Sequence, residues 1–258
     1  MQNQQKSFRL ITIPASNYCE KVRWALDILK LSYVEEPHMP PFHRFATTKV
    51  GGNSVPVLVT ENGIFTDSTD ILKYLDSIAP NDAKLYPMDS EKCQEVEELE
   101  ELFDTKLAPQ VRLWSYFYLM NNSNFMKKIW CQGVPDIEKL LFPIVLPAMK
   151  LIITKKYNIN SESAAQAYEQ IKSIFEKVEG LLADGRKYLM GDKISAADIT
   201  FGSFVAPIIQ LRQYHMKSYA SQELPLKMVS EVKDFTETYG EKFVLSIYAA
   251  VVKNRNKK

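Results

Sequence analysis

Cysteine is scarce in this chain: there are 3 in 258 residues, Cys19, Cys93 and Cys131, far apart and without Cys-x-x-Cys or Cys/His ligand spacing. That pattern excludes a disulfide framework and a structural zinc site, and it fits a reducing cytosol. Histidine is equally sparse. His38, His43 and His215 make no metal spacing and are read as structural, so no metal is expected. Net charge is nearly absent too: 32 Lys plus Arg stand against 31 Asp plus Glu, a formal net charge of +1. No summed field then draws the chain to nucleic acid or to an anionic membrane. The basic end, Lys253-Asn254-Arg255-Asn256-Lys257-Lys258, is short and reads as a solvated terminus. No long apolar run is present either. The greasiest stretch, 140–153, holds Pro143, Pro147 and Lys150 and is too short to span a bilayer. Residues 1–7 lack the apolar core of a signal peptide, so no export signal and a cytoplasmic location are expected.

The rest of the composition, 46% hydrophobic and 24% charged, is ordinary for a globular chain able to build one large core or two smaller ones. Phe8-Arg9-Leu10-Ile11-Thr12-Ile13 is a β-rich run ended by Pro14, which has no N–H to continue a ladder. From Asn17 the period changes. Tyr18, Val22, Ala25 and Leu29 recur at helical spacing, Cys19 and Leu26 lie on the adjoining flank, and Glu20, Lys21, Arg23 and Asp27 are placed outward. This predicts an amphipathic helix of about three turns. Tyr33-Val34-Glu35-Glu36 reads as a second strand, and strand–helix–strand with a short helix implies a parallel βαβ unit. Residues 37–53, with Pro40, Pro41, Gly51 and Gly52, read as a loop with one irregular helical turn. Val55-Pro56-Val57-Leu58-Val59-Thr60 is a strand, Glu61-Asn62-Gly63 a tight turn and Ile64-Phe65-Thr66 the returning strand. Asp67-Ser68-Thr69-Asp70 then supplies caps for a helix carrying Ile71, Leu72, Tyr74, Leu75 and Ile78.

Residues 79–87 break both periods and mark the domain boundary, so the expected division is 1–80, a linker at 81–90, and 91–258. The fold class expected is an α/β domain, βαβ-ββα, followed by an all-α helical domain. One long helix should run from Glu91 to Tyr118 with a kink at Pro109. The apolar stretch from Asp136 to Tyr157 is either bent or split by Pro143 and Pro147. Ser161 to Leu182 carries a continuous apolar stripe that should cross the core. Ser195 and Asp198 form a capping box, stapled by Ile194 and Ile199, before a nearly all-apolar helix to Leu211. Helices over 225–239 and 243–253 close the domain.

The candidate chemistry lies at the first strand–helix junction, where Ser16 and Cys19 share the first helical turn. Unpaired N–H groups and the positive end of the helix dipole stabilise a thiolate or other anion there. Taken alone, Ser16 is an N-cap. Three separated motifs change that reading: Ser16-Asn17-Tyr18-Cys19 with Val22-Arg23; Ser54-Val55-Pro56-Val57-Leu58 followed by Asp67-Ser68; and Tyr188-Leu189-Met190-Gly191-Asp192 with Ser195 and Asp198. In order and spacing they resemble a cytosolic glutathione transferase. The first is similar to the Ser/Cys-Pro-Phe/Tyr-x-x-x-Val-Arg entry of the tau and omega classes and, more distantly, to the Cys-Pro-Tyr-Cys of glutaredoxins. The second is similar to the family's Val-Pro-x-Leu and Glu/Asp-Ser, and the third to its Tyr-Leu-x-Gly and buried capping box.

The resemblance spans both halves and implies a thioredoxin-like first domain that binds glutathione as co-substrate. It implies a cis Pro56, with the Val55 backbone pairing with the cysteinyl part of the tripeptide. Asp67 and Ser68 would hold the γ-glutamyl carboxylate at a helix N-terminus, unless they are caps only. Lys49 and Asn53 are candidates for the glycyl carboxylate. Ser16 would donate a hydrogen bond to the glutathione sulfur and favour the thiolate, which attacks a small apolar electrophile. Tyr18, Trp114 and Tyr118 are candidates for the acceptor wall, the last two also being readable as core. Asp104 belongs either to a solvated acidic face or, across a dimer interface, to the γ-glutamyl amine. Cys19 is either a packed thiol or a redox partner. The partners implied are glutathione, the electrophile and a second copy of the chain in a detoxifying cytosolic homodimer, with no nucleic acid and no membrane. A thiol oxidoreductase such as a dehydroascorbate reductase, a glutathione-dependent isomerase and a non-catalytic binding protein remain alternatives. Departures from the pattern are Asn17 where proline usually follows the reactive residue, Lys49-Val50-Gly51-Gly52-Asn53-Ser54 before Val55-Pro56, and a long 121–159 segment that predicts a reshaped pocket.

Overall fold

The computed structural model describes residues 8–210 and 224–255. His215, the expected helix end at Leu211 and the last residues of the basic tail lie outside them. Successive side chains on a strand point to opposite faces, and β1 (Phe8–Thr12) buries both Leu10 and Ile11 completely. It is therefore covered on both sides. β2 (Tyr33–Pro37) pairs with it in parallel, and β3 (Val57–Thr60) pairs antiparallel with Leu10 opposite Leu58 and Ile11 opposite Val57. β4 (Gly63–Phe65) returns beside β3, giving the mixed order β2-β1-β3-β4. Leu10 and Leu58 pack with Val22 and Leu26 of α1 (Asn17–Ile28) and with Ile71 and Leu72 of α3 (Ser68–Ile78). On the other face Ile11 and Val57 cluster with Ala46 of α2 (His43–Thr48). This is a thioredoxin-like domain, and a helical domain follows it.

In the second domain α4 (Ser90–Leu102) passes through one π-helical turn (Phe103–Leu107) into α5 (Ala108–Leu119). Pro109 has no N–H for the carbonyl one turn back and its ring crowds that carbonyl, so the wider turn before it takes up the mismatch. α6 (Ser123–Trp130) has no counterpart in the sequence reading; it is opened by the Asn122 side chain, which accepts the Phe125 N–H at 3.0 Å. α7 (Asp136–Lys156) runs unbroken across Pro143 and Pro147, which decides the bent-or-split question for one helix. α8 (Ser161–Leu182) and α9 (Ala196–Gln210) cross the core, and α10 (Leu226–Lys233) and α11 (Tyr239–Arg255) close it.

Two connections set the domains against each other. α1 lies on α9 and α11, with Trp24 fully buried against Gly202 and Tyr248. Lys21, Arg23 and Asp27, placed outward by periodicity, are buried. A helix enclosed on several sides has no solvated face, and charges survive there only by pairing. Among the described residues no helix is long and apolar enough to cross a membrane, no group of His, Cys, Asp and Glu could hold a metal ion, and the three cysteines are free.

Candidate active site

The N-terminus of α1 opens onto a cleft of about 980 Å³ between the two domains. Ile13 to Tyr18 and Asn53 to Val55 line one side, and residues of α5, α6 and α7 line the other. Ser16 is the N-cap, with extended backbone at φ −84° and ψ 122°, and its Oγ accepts the Cys19 N–H at 3.4 Å. Arg23 holds the loop that carries it. Its guanidinium donates to the Ile13 and Pro14 carbonyls, to Glu35 at 2.7 Å and to Glu20 at 2.8 Å. Cys19 faces the core, and burial pushes its thiol up, away from the thiolate that a redox partner needs.

The Val55–Pro56 peptide is cis, and Val55 lines the cleft while Pro56 is buried behind it. Asn53 is on the same wall. Lys49, the exposed C-cap of α2, is not. Asp67 caps α3, its Oδ1 accepting the Thr69 and Asp70 N–H groups at 2.8 and 3.3 Å, and Ser68 beside it is buried. Neither lines the cleft itself. Asp104 does not lie on the solvated acidic face that was one of its two expected placements. It lies in the π-helical turn with its side chain only 14% exposed, and its Oδ2 accepts from Lys21 of the same chain at 2.7 Å. Thr69 Oγ1 is 3.0 Å from the same oxygen, and Asp104 Oδ1 is buried without a hydrogen-bond partner among the described residues.

Residues 10–83 match the model of the glutathione S-transferase N-terminal domain, and residues 161–222 match that of the glutathione S-transferase C-terminal domain. The chain belongs to the glutathione S-transferase superfamily. Among solved structures it is similar to the glutathione transferase GSTFuA3 from Phanerochaete chrysosporium, at 19% identity and a TM-score of 0.64, covering 95% of this chain and 97% of that one. A glutathione S-transferase of Ceriporiopsis subvermispora in complex with glutathione gives 18% identity, a TM-score of 0.60 and coverage of 96% and 97%. A tau-class glutathione S-transferase from mango, Mangifera indica, gives 16% identity, a TM-score of 0.52 and coverage of 92% of each chain. At such identities these likenesses speak for the fold. No curated protein sequence matches.

The acceptor side of this glutathione S-transferase fold differs from the sequence expectation. Tyr18 does line the cleft; its O–H donates to the Asp104 carbonyl at 2.8 Å, and burial pushes it up to about 12, so it stays protonated at neutral pH. Trp114 and Tyr118 do not belong to that wall. Trp114 is 1% exposed and donates its indole N–H to Glu231 of α10 at 2.6 Å, and the Tyr118 O–H donates to the same carboxylate oxygen at 3.0 Å. At about 100° per residue, Arg112, Ser115, Tyr116 and Leu119 share one face of α5, and Trp114 falls opposite. Of the two readings open for Trp114, core and acceptor wall, its burial fits the core. The long 121–159 segment supplies Phe125, Met126, Ile129, Met149 and Ile153, which line the cleft. The signal for them was in the sequence: Phe125, Met126, Ile129 and Trp130 repeat at helical spacing after Asn122.

Proposed function

We propose that this chain binds glutathione against its first domain and conjugates it to an electrophile held by the second, with Ser16 favouring the thiolate. The observation that carries the reading is the position of Ser16. It caps α1 on the wall of the interdomain cleft, beside the Val55 that precedes cis Pro56. A hydroxyl has one hydrogen and two lone pairs, so an oxygen that accepts the Cys19 N–H keeps its hydrogen for a sulfur in front of it. The helix terminus adds a favourable field for the anion. The Val55 backbone would pair with the cysteinyl residue in strand fashion. Asp67 already occupies the Thr69 and Asp70 N–H groups, which leaves Ser68 as the donor for the γ-glutamyl carboxylate and suits Asp67 itself to the ammonium. Asn53 rather than Lys49 is the nearer candidate for the glycyl carboxylate. In the reaction the thiol proton leaves to solvent, the sulfur lone pair bonds the electrophilic carbon, and the displaced electrons depart with a leaving group or into the acceptor. No protein atom becomes covalently bound. Work in the cytoplasm as a detoxifying homodimer belongs to the same proposal.

The test is Ser16→Ala. Conjugation should fall by about tenfold or more in kcat/KM, while retention on glutathione-agarose persists. Unchanged turnover would remove Ser16 from the mechanism. Cys19→Ser should leave conjugation intact; thiol transfer abolished by that change would favour an oxidoreductase instead.

A further inference from the structure

We propose that the second-domain half of the cleft selects an organic anion, a flat apolar body bearing a carboxylate or sulfonate, and that Arg112 is the residue that reads the charge. The proposal rests on the reading of this cleft as an acceptor site. Its first support is a charge imbalance. The two acids that line the cleft among the described residues, Glu20 and Glu35, are both held by Arg23, at 2.8 and 2.7 Å. Arg44, Arg112 and Lys156 also line the cleft, and none has an ion-pair partner among the described residues. The part of the lining that the described residues supply is therefore positive toward whatever enters the cleft.

The second support is the set of polar atoms left without partners. Arg112 Nε, Ser115 Oγ, Asn17 Nδ2 and His43 Nδ1 are all buried, and none has a hydrogen-bond partner among the described residues. Buried polar groups are nearly always satisfied, so four in one cleft call for a common explanation. Arg112 and Ser115 are three residues apart on the cleft face of α5, so a planar fork and a hydroxyl can meet one anionic group. Asn17 brings an amide to the opposite wall at the position where the family pattern has proline. The Arg112 guanidinium carbon lies over the Tyr157 ring, 4.4 Å from its centroid, a contact that holds the cation at the cleft wall. His43 stays neutral, pushed down to about 4 by burial and by Arg44, and so contributes a donor or acceptor but no charge. Phe125, Met126, Ile129, Met149 and Ile153 supply the apolar surface for the body of the molecule.

Binding of naphthoate and its uncharged analogue naphthamide to the full chain, without glutathione, tests this by calorimetry. Wild type should bind naphthoate about tenfold more tightly than naphthamide. Arg112→Gln should erase that preference, leaving naphthamide and glutathione affinities unchanged, and Arg112→Lys should keep part of it. Equal affinities in wild type, or a preference that survives in Arg112→Gln, would overturn the proposal. A parallel loss of glutathione affinity would assign Arg112 to the tripeptide's own carboxylate and overturn it equally. If Arg112→Gln fails to fold, Ser115→Ala should still weaken the preference by about threefold, and no change would count against the proposal. Neither probe needs a thiolate, so Ser16→Ala should retain the preference, and failure of the conjugation reading stays distinct from failure of this one.

Discussion

Asp198 accepts three hydrogen bonds in the core, from the Leu189 N–H at 2.7 Å and from the Ser195 N–H and O–H, both at 2.6 Å. Burial outweighs them and pushes the carboxyl up to about 6. His43 is shifted the other way, to about 4, chiefly by burial. The signs follow from linkage. A carboxyl raised in the fold contributes stability that is full below its ordinary value of 3.8 and is lost as pH rises through about 6. A histidine lowered in the fold contributes stability that is full above 6.5 and is lost as pH falls toward about 4. Across that window the two oppose each other. Urea unfolding at several pH values should show the midpoint of Asp198→Asn climbing more steeply than wild type as pH rises, and that of His43→Gln climbing less or falling. Parallel curves for all three proteins would mean that neither group titrates abnormally.

At the scale of elements, α1 and α9 meet where Gly202 lies under the Trp24 ring. A Cβ there would stand 2.7 Å from Trp24 Cζ3, and the indole is fully buried and cannot step aside. Gly202→Ala should therefore destabilise by about 1–3 kcal/mol despite the better helix propensity of alanine. That lowers the thermal midpoint by about 2–4 °C per kcal/mol in a chain of this size. Gly180, on the exposed side of α8 with nothing within 4 Å of its would-be Cβ, is the control, and Ala there should raise the midpoint. A fall at both positions would mean that packing against Trp24 is not the cause. The same elements mark what the sequence made legible. The Asn62-Gly63 turn, the Asp67 cap and both ends of α8 were readable because their signals are local. The cleft face of α5 was not: the helix is packed on Glu231 of α10 at one side and borders the cleft at the other, so an apolar stripe does not choose between them. Lys21 and Arg23 looked solvated because a helical wheel sees only near neighbours, and the Lys21 partners are about eighty residues away.

Across the whole molecule, the cleft is held by a tie on either side. On one, Glu138 of α7 accepts the Met39 N–H at 2.8 Å and bonds His38 at 2.5 Å, joining the helical domain to the chain just after β2. On the other, fully buried Lys21 of α1 lies 2.7 Å from both Glu100 of α4 and Asp104 of the π-helical turn, and 3.1 Å from Thr69 of α3. Tyr86 donates to the second Glu100 oxygen at 2.6 Å. One cation thus serves two buried carboxylates, and burial pushes the Asp104 carboxyl up even beside it. Lys21→Met would leave both acids in the core without a counter-charge, at a cost of about 3–5 kcal/mol. Calorimetry should show a single transition, because one hydrophobic cluster runs through both domains, lowered by roughly 6–20 °C. Adding Glu100→Gln should recover part of that loss by removing one of the two stranded charges. A loss below about 1 kcal/mol would mean that the desolvation of three charges cancels their attraction, and that the apolar contact of α1 with α9 and α11 alone holds the domains.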